Sequence, residues 1–200
     1  MNTLFPSEVV TFDLPNATIE YYPNFFDIEK ANFIFEKLYQ EIPWQQDAIT
    51  VFGKNHLQPR LTALYGNDGK PYSYSTIVMQ PHPWNALLTY IKEEVETLCH
   101  EKFTTVLLNL YRDGRDSNGW HADNEKELGR NPTIVSVSLG AERPFHLQHN
   151  FIKEAKQKII LEHGSLLIMK GETQHFWKHQ IPKTAKPIPP RINLTFRIIK

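Results

Sequence analysis

The chain has 200 residues, enough for one domain with a sizeable buried core, and no break in composition argues for two. Its 22 basic and 22 acidic residues leave no formal net charge, which argues against a protein held to nucleic acid by bulk charge and leaves that task to local basic clusters. The single cysteine, Cys99, excludes an internal disulfide framework and suits a reducing compartment.

Met1 to Pro15 contains Glu8 and Asp13 but no Lys or Arg, the wrong pattern for a secretory or transit peptide. No apolar run approaches the ~18 residues of a membrane span. The expectation is a monomer without membrane attachment, not secreted, in the cytoplasm or a nucleus. The segment through Pro23 is aromatic and punctuated by prolines, and reads as an extended arm on the body of the domain. Asp27 then caps a helix to about Glu41, with Ile28, Ala31, Ile34, Leu38 and Ile42 at helical spacing. Pro43 stops it, because proline disfavours the helical state of the residue before it. In Thr50-Val-Phe-Gly-Lys54 an apolar run meets Gly53 at an expected hairpin tip, which would present Phe52 on a turn. A second helix is expected over Pro83–His100, with Leu87/Leu88, Ile91, Val95 and Leu98 on one face. Both stripes read as core packing, and Cys99 as an inert buried thiol.

From Thr104 the pattern becomes short β-like runs: Thr105–Leu110, Thr133–Leu139, Phe145–Gln148, Lys158–Glu162, Ser165–Met169 and Arg191–Ile199. Turn signals such as Asp113-Gly114, His163-Gly164 and Lys170-Gly171 separate them. Many short strands suggest a sandwich or jelly roll, with the earlier helices buttressing one sheet. Lys183–Pro190 reads as a proline-rich surface loop.

Two stretches carry chemistry. His121 and Asp123 are two residues apart, so on a strand or its extension both project to one side and can meet one ion. Two imidazoles and one carboxylate with open positions form the facial triad of non-haem Fe(II) oxygenases. The second imidazole must come from elsewhere, and spacing leaves His175 and His179 both open. Arg191, Asn193, Thr195 and Arg197 alternate, so on one strand they share a face. Two buried arginines need anionic partners. Either internal carboxylates serve, or the pair clamps a diacid co-substrate, since guanidinium binds carboxylate in a bidentate manner. Metal and clamp together point to an oxygenase that consumes a dicarboxylate.

From about Val51 to Lys200 the chain also resembles the AlkB-type Fe(II)/2-oxoglutarate-dependent nucleic-acid dealkylases, most of all the branch that repairs duplex DNA. The resemblance lies in Val51-Phe-Gly-Lys54, Pro59-Arg60, Tyr65-Gly66, Tyr72-Ser-Tyr74-Ser75, Asn109-Leu-Tyr111, Ser138-Leu-Gly-Ala141, His163-Gly-Ser-Leu-Leu167 and Pro190-Arg-Ile-Asn-Leu-Thr-Phe-Arg197. It implies an α+β fold: a double-stranded β-helix (jelly roll) with N-terminal buttressing helices. Residues 1–200 would form one domain, with 1–103 a helical and nucleotide-recognition lid portion and 104–200 the catalytic jelly roll. It implies Fe(II) held by His121, Asp123 and His179, since Trp177-Lys-His179 fits the family register, and 2-oxoglutarate as co-substrate. Arg191, helped by Tyr111, would grip the distal carboxylate, and Arg197 would sit by the end that chelates iron. Asn109 and Asn193 would donate hydrogen bonds, with Thr195 on the same face.

On the substrate side the resemblance makes Phe52 the finger that fills the gap left by a flipped base. Lys54 and Arg60 would touch phosphates. Tyr72, Tyr74 and Ser75 would form the lid over the base, Glu125 would read its exocyclic amine, and Arg143 would sit beside the pocket. Asn124 departs from the pattern, standing where a relative carries an acidic residue. The implied function is oxidative demethylation of 1-methyladenine and 3-methylcytosine in DNA, releasing formaldehyde, succinate and carbon dioxide. The alternatives are an RNA, single-strand or protein demethylase of the same chemistry, and a non-catalytic β-sandwich binding module or metal-dependent isomerase. The last two have no need of a diacid clamp.

Overall fold

The computed structural model describes residues 9–51, 54–67, 72–74 and 77–200. In chain order it forms β1 (Val10–Thr11), β2 (Thr18–Tyr22), α1 (Ile28–Glu41), β3 (Ala48–Val51), β4 (Lys54–Leu57), β5 (Leu61–Gly66), β6 (Tyr72–Tyr74), β7 (Ile77–Met79) and α2 (Ala86–Cys99). Then follow β8 (Thr105–Tyr111), β9 (Asn118–His121), β10 (Ile134–Gly140), β11 (Arg143–His149), β12 (Lys156–Leu161), β13 (Ser165–Lys170), α3 (Thr173–Phe176), β14 (Trp177–Ile181) and β15 (Arg191–Arg197).

The helices begin where a side chain can satisfy their first free amides. The Asp27 carboxylate accepts from the Lys30 N–H at 2.8 Å, and the Asn85 amide oxygen accepts from the Leu88 N–H at 2.8 Å. The second cap explains why α2 starts at Ala86 and not at Pro83. Helix α2 ends at His100, which takes a left-handed conformation with φ 56°.

Two antiparallel sheets face each other. The larger has the order β1-β2-β13-β10-β15-β8-β5, the smaller β12-β11-β14-β9. Period-2 alternation divides each central strand of the larger sheet between two cores. Val106, Leu108 and Leu110 of β8, Val135, Val137 and Leu139 of β10, and Ile192, Leu194 and Phe196 of β15 pack with Ile34 and Leu38 of α1 and Leu88, Ile91 and Val95 of α2. Leu107, Tyr111, Ile134, Leu167 and Met169 turn inward and meet Phe145, Leu147, Ile159, Leu161, Trp177 and Ile181 of the smaller sheet. This is the jelly roll with buttressing helices that the sequence predicts. Cys99 is buried at the end of α2, and burial raises its thiol to about 12, in keeping with an inert side chain. Among the described residues no helix is long and apolar enough to cross a membrane.

Two features depart from the sequence reading. The segment before Pro23 is not only an arm: β2 pairs with β13, Leu167 opposite Tyr21, and extends the larger sheet. Three of that sheet's seven strands, β1, β2 and β5, precede residue 104, so residues 104–200 do not complete the barrel alone. Their partners lie on β13 and β8, and no local pattern announces pairings over such separations. At the entry to β15, Gly140 takes φ +86° opposite Arg191. A Cβ there would stand 2.5 Å from the Pro190 carbonyl oxygen, so only glycine lets the backbones approach this closely.

Candidate metal and co-substrate site

Strand β9 ends at His121, and β14 places His179 directly opposite it in the pairing register. The chain then leaves β9 and brings Asp123, two residues on, to the same side. One potential ligand atom from each of these three residues lies within 4.8 Å of the others. The His121 Nδ1 stands 2.7 Å from the Gly119 carbonyl oxygen, which can only accept, so Nδ1 carries the proton and Nε2 keeps a lone pair. The Asn118 amide nitrogen donates to that lone pair at 3.2 Å.

The charge states suit a cation. Burial pushes His179 down to about 3, and the neighbouring His121 adds to the effect, so its imidazole is neutral. His121 keeps an exposed edge yet is crowded enough that burial lowers it too. Burial works to raise the Asp123 carboxyl, but the Arg197 guanidinium outweighs it and holds the group ionised. Arg197 donates to Asp123 Oδ1 at 2.7 Å, and the Asp123 N–H donates to the side-chain oxygen of buried Gln174 at 2.9 Å. Two neutral imidazoles and one ionised carboxylate, with His121 and Asp123 oriented from behind and His179 packed against the Phe145 ring, make a donor set that fits Fe(II).

The polar face of β15 continues from this cluster. Asn193, Thr195 and Arg197 line a cavity with Asn109, Tyr111 and the three candidate ligands. Asn193 donates to Thr195 Oγ1 and accepts from Ser136 and Arg191, each at 2.8 Å. Arg191 lies behind the wall, fully buried. One Nη donates to Ser138 Oγ at 2.9 Å and to Asn193, while Nε and the other Nη meet no hydrogen-bond acceptor among the described residues. Its Cζ is 5.2 Å from the Tyr111 ring, and burial lowers the group to about 10. A buried guanidinium with two unanswered N–H groups beside a polar cavity fits a carboxylate-bearing molecule such as 2-oxoglutarate.

The remaining candidates lie around this site, and Arg60 departs from its expected place. His175, the competing imidazole, is on α3 and exposed, with Nε2 2.9 Å from Asn131 Oδ1. Arg60 is not displayed to phosphates. It is buried, donating to Asn109 Oδ1 at 2.7 Å and to the Ser117 carbonyl, because those acceptors lie inside the barrel wall. Arg143 is also buried and does not line the cavity. It donates to the carbonyls of Asp116 at 3.0 Å and Pro182 at 2.6 Å, tying the loop after β8 to the loop after β14. Glu125 lies just past Asp123 with one carboxylate oxygen buried and without a partner among the described residues, and burial raises its carboxyl. Lys54 is on β4 and Tyr72 and Tyr74 on β6, whereas Phe52 and Ser75 lie outside the described residues. Sequence reasoning missed Gln174, Asn118 and Ser138. The first two stand beside candidate ligands in the chain but carry no spacing signal of their own.

Comparison with known proteins agrees with this geometry. The family model described as the 2OG-Fe(II) oxygenase superfamily matches residues 18–197. Human alpha-ketoglutarate-dependent dioxygenase alkB homolog 3 is 42% identical over 187 residues, covering 89% of this chain and 65% of the relative. Human DNA oxidative demethylase ALKBH2 is 38% identical over 188 residues, covering 89% of this chain and 72% of the relative. The chain thus spans about two thirds of the length of these relatives. Among solved structures, that of OsALKBH1 superposes with a TM-score of 0.68 at 17% identity, over 96% of this chain and all of that one, a likeness of fold.

Proposed function

The chain belongs to the 2OG-Fe(II) oxygenase superfamily, and we propose that it is an Fe(II)- and 2-oxoglutarate-dependent dioxygenase that demethylates N-alkylated bases of nucleic acid. The observation that carries this reading is the convergence of His121, Asp123 and His179 beside the Arg197 guanidinium. The names of two human relatives, a dioxygenase and a DNA oxidative demethylase, support the substrate class. With dioxygen as oxidant, bound iron and 2-oxoglutarate would supply oxidation of the N-methyl group, whose carbon would leave as formaldehyde while the co-substrate left as succinate and carbon dioxide.

The chain's own residues hold and orient. His121 and His179 offer imidazole lone pairs and Asp123 a negative charge, which Arg197 and Gln174 keep in place. Arg191 meets the far carboxylate of 2-oxoglutarate with its two unanswered N–H groups, and Tyr111 closes over it. Asn109, Asn193 and Thr195 supply hydrogen-bonding groups along the cavity. Tyr72, Tyr74 and Ser75 cover the base, Glu125 reads its exocyclic group, and Lys54 meets the backbone. Arg60 and Arg143 support the site from behind. Residues 1–200 act as one domain and as a monomer, inside the cell where the substrate is.

In the finer reading the substrate is 1-methyladenine or 3-methylcytosine in duplex DNA, with Phe52 filling the space of the flipped base. Protein loaded anaerobically with Fe(II) and 2-oxoglutarate is given a 3-methylcytosine oligonucleotide, then air, and the products are weighed by mass spectrometry. Unmodified cytosine and formaldehyde forming in step with succinate is the expected result. Succinate without demethylation on DNA or RNA would remove the substrate class. Phe52→Ala should impair turnover on the duplex and spare the single strand, and equal losses on both would end the duplex reading.

A further inference from the structure

The smaller sheet carries two of the candidate iron ligands, His121 and His179, on its inner face. Its outer face has a chemistry of its own. Among the described residues, β9, β11, β12 and β14 contain no Asp or Glu, although the chain as a whole is balanced. Pairing sets Lys156, Gln148 and Lys178 in one row across three strands, and Lys158, His146 and Gln180 in the next. None of the three lysines makes an ion pair among the described residues. On the neighbouring strand β9 Trp120 stands 43% exposed, with the Lys178 ammonium 5.7 Å from its ring centre. Trp120, His146, Lys156 and Lys158 also line a shallow groove on this face.

Lysines on an edge strand block unwanted strand pairing. That accounts for Lys156 and Lys158 on β12, but not for Lys178, which lies on an interior strand beside an uncovered tryptophan. Strand spacing puts Lys156 and Lys178 roughly 10 Å apart, and Lys158 about 7 Å along from Lys156. No small anion bridges such distances, but a polymer with regularly repeated charges does. A flat exposed indole adds what an acidic peptide cannot use as well as a polynucleotide can, a platform for an unpaired base.

We propose that the outer face of the β12-β11-β14-β9 sheet is a docking surface for a polynucleotide strand, with Lys156, Lys158 and Lys178 meeting its phosphates and Trp120 stacking on one of its bases. The proposal rests on the reading of a nucleic-acid substrate, though not on its strandedness. Trp120 and Lys178 immediately precede His121 and His179, so the same two strands present the docking surface on one face and candidate ligands on the other.

The test is fluorescence anisotropy with a labelled 20-nucleotide oligothymidylate, across a salt series, using the wild-type chain and a Lys156→Gln/Lys158→Gln/Lys178→Gln variant of unchanged circular dichroism. Loss of three phosphate contacts should lower the slope of log affinity against log salt by about 2. Trp120→Ala alone should weaken binding roughly tenfold while leaving that slope unchanged. Equal affinity and slope for the wild-type and triple-lysine proteins would overturn the docking surface, as would polyglutamate binding as tightly as the oligonucleotide. If the wild-type chain binds neither the oligothymidylate nor a duplex of equal length, the proposed substrate class fails with it.

Discussion

The two faces of β15 are equally buried and differently used. Toward the helices Ile192, Leu194 and Phe196 are fully enclosed in apolar packing. Toward the smaller sheet Arg191, Asn193, Thr195 and Arg197 are almost as deeply enclosed, yet every one is polar. On the first face burial stabilises directly, by removing hydrocarbon from water. On the second it opposes stability, since a guanidinium out of water is costly unless answered. One strand therefore carries both the mechanical centre of the sheet and the most strained part of its electrostatics, and its alternation keeps the two apart.

Substitutions on the two faces should separate these roles. Asp123→Ala, which empties the carboxylate position that Arg197 answers, should abolish metal-dependent 2-oxoglutarate decay. Retained decay after anaerobic iron loading would break the assignment of the polar face. Phe196→Ala should cost about 3–5 kcal/mol in denaturant unfolding, the penalty for a large cavity in a packed core. A loss below 1 kcal/mol would show that the helix side packs loosely.

Arg191→Met has the most instructive expected outcome. It should weaken 2-oxoglutarate binding by about 1.5–3 kcal/mol, roughly ten- to hundredfold, by removing charge-assisted hydrogen bonds. The ligand-free protein should be as stable as wild type or more so, because a buried charge with unanswered N–H groups has gone. Calorimetry with and without 2-oxoglutarate distinguishes the two effects, and a destabilised ligand-free protein with unchanged binding would reverse the comparison. His175→Ala should change neither metal binding nor stability by more than ~0.5 kcal/mol, since its side chain is exposed. Loss of metal on this substitution would move the candidate site to α3.

The alternation of β15 was plain in the sequence because arginine and asparagine interleave with isoleucine, leucine and phenylalanine over seven residues. His121 and Asp123 were legible from their spacing for the same reason. The choice between His175 and His179 was not, although a signal existed. Trp177, His179 and Ile181 alternate with Lys178 and Gln180, and in a strand that pattern turns His179 inward. Arg60 misled because its partners Asn109 and Ser117 are about fifty residues away, and nothing adjacent marks the arginine as buried. Strand β2 escaped notice similarly, being defined by a pairing with β13 almost 150 residues later.

The placement of β15 also bears on how the chain acquires its shape. It is the last strand in sequence and sits between β10 and β8 at the middle of the larger sheet. Until Arg191–Arg197 is available, β10 and β8 lack their shared neighbour, and each exposes an open edge with hydrogen-bonding groups unmet. Such late, distant pairing makes for slow folding, on the millisecond-to-second side of the usual range. On a ribosome, the four polar side chains of this strand arrive only after the histidines and the aspartate have already been made. Metal capture before that moment would occur without Arg197 beside Asp123, so the order of synthesis delays assembly of the whole site until its last strand is in place.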